Sequence, residues 1–475
     1  QTNILIISMK NKLLLLSAIT VLLSIKAYTQ SNSKYWNSIP TNNIELHKYN
    51  TAKYKLFTLD INQTRLPALN ADASEIYVPN PDGILETFSI TNTPMLAPEL
   101  AANYPQIQTY SGYNIHNPNA TIKISTDGNQ LFFYIIDNSN SYVINPLENH
   151  TYIVYYKRDA LKNEHDDFKC LHDKSSMLEE NTIAPAEKIG NPATLDFAYG
   201  TVRKKYRIAI SSTFEYGNAV TSNNPTKAGI LAAITTTLNR VNGVYEKNLG
   251  ITFELINKND TLLFTTAADP FTDNNPDLLL SQNKTLLTNR IGNSGYDIGH
   301  VFSTGGGGLA MLASLCDNFY KAMGVTGSPY PIGDPYDIDY VCHEVGHQVG
   351  ADHIHNMCDG FNENIAGAFE PGSGSTIMGY AGICGPSNDL QFNSDDFFHP
   401  YSLYEMSQHI ADIPTCGTTL AGSHAAPSAF VLSNNNFNIP ANTAFELEGP
   451  ELSDVDDYNW VQWNLGNFQE SESLG

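Results

Sequence analysis

Five residues within eleven positions could do chemistry together: His343, Glu344, His347, Gly350 and His353, in the run Cys342-His343-Glu344-Val345-Gly346-His347-Gln348-Val349-Gly350-Ala351-Asp352-His353. On a helix, residues four apart project from one face, so the His343 and His347 imidazoles can grip one metal ion. Gly350 accepts the positive φ that ends a helix, which lets the chain turn and return His353 as a third ligand. Three imidazoles leave one tetrahedral position for water, the arrangement of a catalytic zinc rather than a structural one. Zinc lowers the pKa of such a water to about 7. Glu344, next to the first ligand, is the candidate general base that would take its proton.

These side chains need a helix, and the sequence supplies one. Ile338, Val341, Val345 and Val349 recur at spacings of three and four and give a buried face behind the ligands. Gly346 inside it costs about 1 kcal/mol of propensity relative to Ala, so packing must offset it. Upstream, Tyr206 to Ser211 reads as a strand. Asn224-Pro225 opens a helix with Ile230, Ile234, Leu238, Val241 and Tyr245 on one face. Gly250 ends it, and Ile251 to Leu255 is the next strand. This order predicts a sheet backed by helices. Tyr296 to Phe302 is another strand. After Gly305–Gly308, Leu309 to Leu312 is a candidate edge strand that an extended peptide could join.

The histidine run resembles the elongated zinc motif of the metzincins, H-E-x-x-H-x-x-G-x-x-H. Ser375-Thr376-Ile377-Met378-Gly379-Tyr380 is similar to the methionine turn of that clan, which implies that Met378 is a hydrophobic floor under the imidazoles. Tyr296 to Phe302, Glu370 to Ser375 and Phe398-His399 make the likeness closest to reprolysin-like proteases of bacterial type, over about 201 to 420. Ile354 stands where the snake-venom and ADAM branch usually has Asp. The resemblance implies an α/β (α+β) zincin-like catalytic domain, with a mixed twisted sheet and a zinc-binding helix. It further implies a zinc-dependent endopeptidase with His343, His347 and His353 on the metal, Glu344 as base and Tyr380 near the developing oxyanion. Disulfides Cys358–Cys384 and Cys316–Cys416 follow from it too, with Cys342 as a buried free thiol. Cys170, upstream in Phe168-Lys169-Cys170-Leu171, is a candidate zymogen switch whose thiolate would take the fourth zinc position. His300 reads as a core or supporting histidine, and His355 as solvent-exposed.

The remaining chain sets the context. Met9-Lys10-Asn11-Lys12 followed by the apolar Leu13 to Ile25 reads as a signal peptide over 1–30, with residues 1–8 upstream of the start. The expectation is a secreted protein that is not an integral membrane protein after processing. Residues 31–200 carry short β patterns and no catalytic constellation, as expected of a β-rich propeptide. The catalytic unit is expected over 201–417, with activation cleavage suggested near Arg203-Lys204-Lys205. A linker over 418–428 leads to the start of a β-sandwich-like domain over 429–475, where Asp454, Asp456 and Asp457 are candidate calcium ligands. The net charge of -23 argues against nucleic acid as a partner. Protein or peptide substrates are expected. The alternative is an exported adhesion or binding protein that retains a metal site without turnover.

Overall fold

The computed structural model describes residues 35–41, 49–161, 168–171, 202–356, 358, 366–422, 449 and 461. The expected signal peptide, the acidic turn at Asp454 to Asp457 and nearly all of the expected C-terminal domain lie outside the described residues.

Alternation of apolar and polar residues builds the N-terminal unit. Its strands are β1 (Trp36–Ile39), β2 (Lys55–Leu59), β3 (Ser74–Pro79), β4 (Leu85–Asn92), β5 (Gln108–Asn114), β6 (Thr121–Thr126), β7 (Leu131–Ile136), β8 (Tyr142–Pro146) and β9 (Thr151–Tyr156). They form one antiparallel sheet in the order β1-β2-β9-β8-β7-β6-β5-β4-β3. Its two end strands meet through side chains. Trp36 Nε1 donates to Tyr77 O at 2.8 Å, and Tyr77 N donates to the Tyr35 hydroxyl at 2.7 Å. One face encloses Trp36, Phe57, Phe88, Phe133 and Tyr152. The other contributes Leu56, Tyr134, Ile136 and Ile153 to a core shared with the second unit. A short helix, α1 (Pro98–Asn103), lies between β4 and β5.

The second unit is a mixed α/β layer. Its sheet runs β11 (Ile251–Leu255), β10 (Val202–Ser212), β12 (Ile298–Ser303), β14 (Gly324–Gly327) and β13 (Gly308–Ala310). All neighbours on this path are parallel except β13, which is antiparallel to β14. Helix α2 (Phe214–Val220) precedes the long α3 (Lys227–Leu249). Thr226 caps α3 by accepting from Gly229 N, and Gly250 ends it at φ 65°. Helix α4 (Pro276–Arg290) packs on the sheet's other flank, with Asn275 as its cap. No described helix is long and apolar enough to cross a membrane.

Two expectations are corrected here. Arg203-Lys204-Lys205 lies inside β10, where Val202 to Lys205 pairs with β15 (Thr418–Ala421) and Lys204 onward pairs with β11. A protease needs an extended, unpaired backbone, so this run is a poor cleavage site. Residues 418–421, expected as linker, are that β15 strand. Thr418, Thr419 and Ala421 are exposed and Leu420 is half-buried, so no alternation marked the strand. Backbone pairing to β10 holds it.

Candidate metal centre

A wide π-helical turn over Pro335–Cys342 leads without a break into α5 (His343–Val349). Tyr336, Ile338, Val341, Val345 and Val349 are all buried along it, as the apolar spacing requires. The histidines face the opposite way. His343 Nδ1 donates to Ile377 O at 2.7 Å, and His347 Nδ1 donates to Ala351 O at 2.8 Å. Each bond fixes the tautomer and leaves the Nε2 lone pair pointing inward. These two nitrogens lie 3.1 Å apart.

Gly350 then turns the chain. At φ 124° it has the positive φ that a side chain would resist, and its N–H returns to Gly346 O and His347 O. Asp352 N donates to Glu405 Oε2 at 3.0 Å, and Ile354 N to Met378 O at 3.2 Å. Glu405 lies on α6 (Pro400–Asp412). The turn is thus pinned from two sides, and His353 returns with its ring centroid 4.7 Å from that of His347 and 5.3 Å from that of His343.

The fourth member comes from the N-terminal side of the chain. Cys170 Sγ is 3.5 Å from His347 Nε2. One donor atom from each of Cys170, His343, His347 and His353 falls within 4.8 Å of every other, and all four residues are buried. Two inward lone pairs at contact distance repel unless they share a cation. The set of three imidazoles and a thiolate therefore fits a tetrahedral divalent ion, with zinc the usual choice for such donors.

Backbone pairing holds Cys170 there. Gly308 N donates to Lys169 O at 2.9 Å and Leu171 N donates to Gly308 O at 2.8 Å, so Lys169 to Leu171 extends β13 as a parallel partner. The Phe168 ring stacks on Tyr340 at 3.7 Å. The expected edge strand is therefore an edge of its own sheet, and it is covered. A Cβ at Gly308 would lie 2.0 Å from Glu344 Oε1, so only glycine lets the strand and that carboxylate meet. Burial pushes the Glu344 carboxyl up to about 8, with the Cys170 thiol opposing it. A carboxylate beside a metal site can exchange protons with a water there.

Met378 is fully buried, and its Sδ lies 2.6 Å from where a Cβ on Gly346 would be. That contact explains a glycine in mid-helix. The Tyr380 hydroxyl donates to Cys170 O at 3.3 Å. His300 is buried, with its ring nitrogens 2.8 Å from Gln348 Oε1 and 2.9 Å from Thr326 Oγ1. Burial takes His300 down to about 4, against the Gln348 bond. Gln348 also donates to Gly299 O at 3.1 Å. Sequence reasoning passed over Gln348, which ties α5 to β12. Its position between the second histidine and Gly350 was the available signal. His355, expected in solvent, is fully buried against the Tyr380 ring at 4.1 Å. Its spacing excluded it as a ligand but said nothing about burial. Disulfides join Cys316 to Cys416 and Cys358 to Cys384, and Cys342 is a buried free thiol.

Residues 231–354 match the family described as Metallo-peptidase family M12B Reprolysin-like. The metal-site segment is reprolysin-like. The match ends one residue beyond His353, so all three imidazoles fall within the reprolysin-like segment and Cys170 outside it. The chain is also similar to metalloproteinase-II from Bacteroides fragilis, at 12% identity and TM-score 0.38, over 72% of this chain and 92% of that one. No curated protein matches the chain.

Proposed function

We propose that this chain is the zymogen of a secreted zinc endopeptidase, with residues 31–200 as its propeptide. The observation that carries the reading is the convergence of one thiol and three imidazoles within 4.8 Å, two of the imidazoles anchored by backbone carbonyls. His343, His347 and His353 would hold the zinc, over the Met378 floor. Bound there, zinc would supply a Lewis acid and draw the pKa of water toward 7.

The chain's own residues do the rest. Glu344 is the general base: it accepts the proton of the attacking water and returns it to the leaving amine. The β13 edge binds the substrate backbone by strand addition, the role that Lys169 to Leu171 fills in the precursor. Cys170 would take the fourth metal position and keep water out. Once 168–171 departs, the Tyr380 hydroxyl is freed to hydrogen-bond an oxyanion.

Two substitutions test this. Glu344→Ala should retain zinc while casein hydrolysis by the released enzyme falls by roughly 100-fold or more. Hydrolysis at the parental rate would remove the mechanism and favour a binding protein that keeps a metal without turnover. Cys170→Ser should give a precursor that hydrolyses casein before any cleavage, and a silent variant would reject the switch.

A further inference from the structure

Away from the metal, a second ionic site joins the two units. Lys157, directly after β9, is buried. Its ammonium donates to Asp396 Oδ1 at 2.6 Å and lies 3.5 Å from Asp334 Oδ2. The Tyr134 hydroxyl of β7 donates to the same Asp396 oxygen. Asp334 is fully buried, and among the described residues neither of its oxygens has a hydrogen-bond partner. Asp339 adds a third buried carboxylate, whose Oδ1 accepts from Ser394 N at 2.9 Å. Burial works against the Lys157 ammonium, but Asp334, Asp396 and Asp339 outweigh it and the net direction is up.

All three carboxylates belong to the catalytic unit and the cation belongs to the N-terminal one. Asp334 and Asp339 sit on or beside the wide turn that becomes the His343 helix. A buried ion pair seldom stabilises more than apolar side chains of the same volume. What it does is penalise separation, because pulling out the ammonium strands buried charge. A second ion pair across the same seam, Lys123 with Glu246 at 2.5 Å, has a glutamate side chain 32% exposed; the side chains of Lys157 and Asp396 are 7% and 4% exposed. Water can replace the Lys123–Glu246 contact gradually but not the Lys157–Asp396 one.

We propose that Asp334, Asp339 and Asp396 form an ammonium-binding pocket whose partner is Lys157, and that this pocket retains the N-terminal unit after the intervening chain is cut. Cleavage alone then leaves a latent two-chain complex, and release of the N-terminal unit is a separate step. The inference rests on the zymogen reading above.

The test uses the full chain with a site for a sequence-specific protease placed between residues 171 and 202. After complete cutting, the parental fragments should co-elute on size exclusion and remain latent. Lys157→Met should speed their dissociation by roughly 30-fold or more, with hydrolysis appearing as they part. Lys157→Arg keeps the charge and should retain the complex. Should Lys157→Met fail to fold, Lys157→Met with Asp396→Asn removes charge from both sides and should still dissociate faster. Parental fragments that separate as quickly as those of either Met variant would overturn the pocket's role. Fragments that co-elute, yet give a separated catalytic fragment without hydrolysis, would support the pocket and reject the zymogen reading instead.

Discussion

The path β11-β10-β12-β14-β13 ends in two strands, and the N-terminal unit pairs with both. At the β11 edge, Leu255 N donates to Met95 O at 2.8 Å and Ala97 N donates to Leu255 O at 2.9 Å. That cover is apolar: Met95, Leu96, Ala97 and Leu100 are all buried. At the β13 edge, Lys169 to Leu171 makes the same kind of backbone pairing but adds a thiol aimed at three imidazoles. Exposed strand edges invite unwanted pairing and are normally protected. One edge is protected by a hydrophobic cover, while the other is protected where a substrate would lie. On the proposed zymogen reading, the contrast separates a structural contact from a regulatory one within a single sheet.

Substitutions at each edge should break the contrast differently. The largest effect is expected for Gly308→Val, whose Cβ would fall 2.0 Å from Glu344 Oε1. Displacing the carboxylate or the strand should lower casein hydrolysis by the released enzyme by roughly 100-fold or more. Hydrolysis within threefold of the parent would show that the approach is not needed. At the opposite edge, Leu96→Ala should destabilise the uncut precursor by about 2–4 kcal/mol in urea unfolding. The released enzyme should keep its rate within twofold, and an equal loss of activity there would erase the distinction between the edges.

The segment around Met378, beside the candidate metal site, gives two smaller effects. Burial raises Glu370 to about 7 from 4.5, although Thr376 bonds its Oε2. The folded chain therefore holds that proton more tightly than the unfolded chain between these values. Stability should fall as pH rises through about 4.5 to 7, by up to roughly 3 kcal/mol from this group, and level off above. Glu370→Gln should flatten that slope when urea midpoints at pH 5 and 7.5 are compared; an unchanged slope would remove Glu370 as its source. Smallest is Met378→Leu, a volume-conserving change expected to cost under about 1.5 kcal/mol. Zinc content should stay the same because the sulfur is no ligand, and loss of zinc would show otherwise.

Much of the candidate metal centre was legible because its histidines are local in sequence. His343, His347, Gly350 and His353 are set by helix periodicity and one glycine turn, and Met378 followed by resemblance. The long α3 was legible from Ile230, Ile234, Leu238, Val241 and Tyr245, all of them buried. What was hidden depends on contacts distant in sequence. Gly308 against Glu344, Gln348 against His300 and Lys157 among the aspartates each join separate elements, and no spacing rule reports them. Helix α4 was passed over although Asn275-Pro276 is a usable start signal. Cys170 stood out only as a thiol upstream of the others, since the residues around it carry no motif.

Zinc K-edge X-ray absorption on the uncut precursor reads the neighbours of the metal, Cys170 among them. One zinc per chain is expected, with three nitrogens at about 2.0–2.1 Å and one sulfur at about 2.3 Å, the sulfur being lost in Cys170→Ser. A precursor zinc with only nitrogen and oxygen neighbours, or a sulfur shell that survives Cys170→Ser, would contradict it.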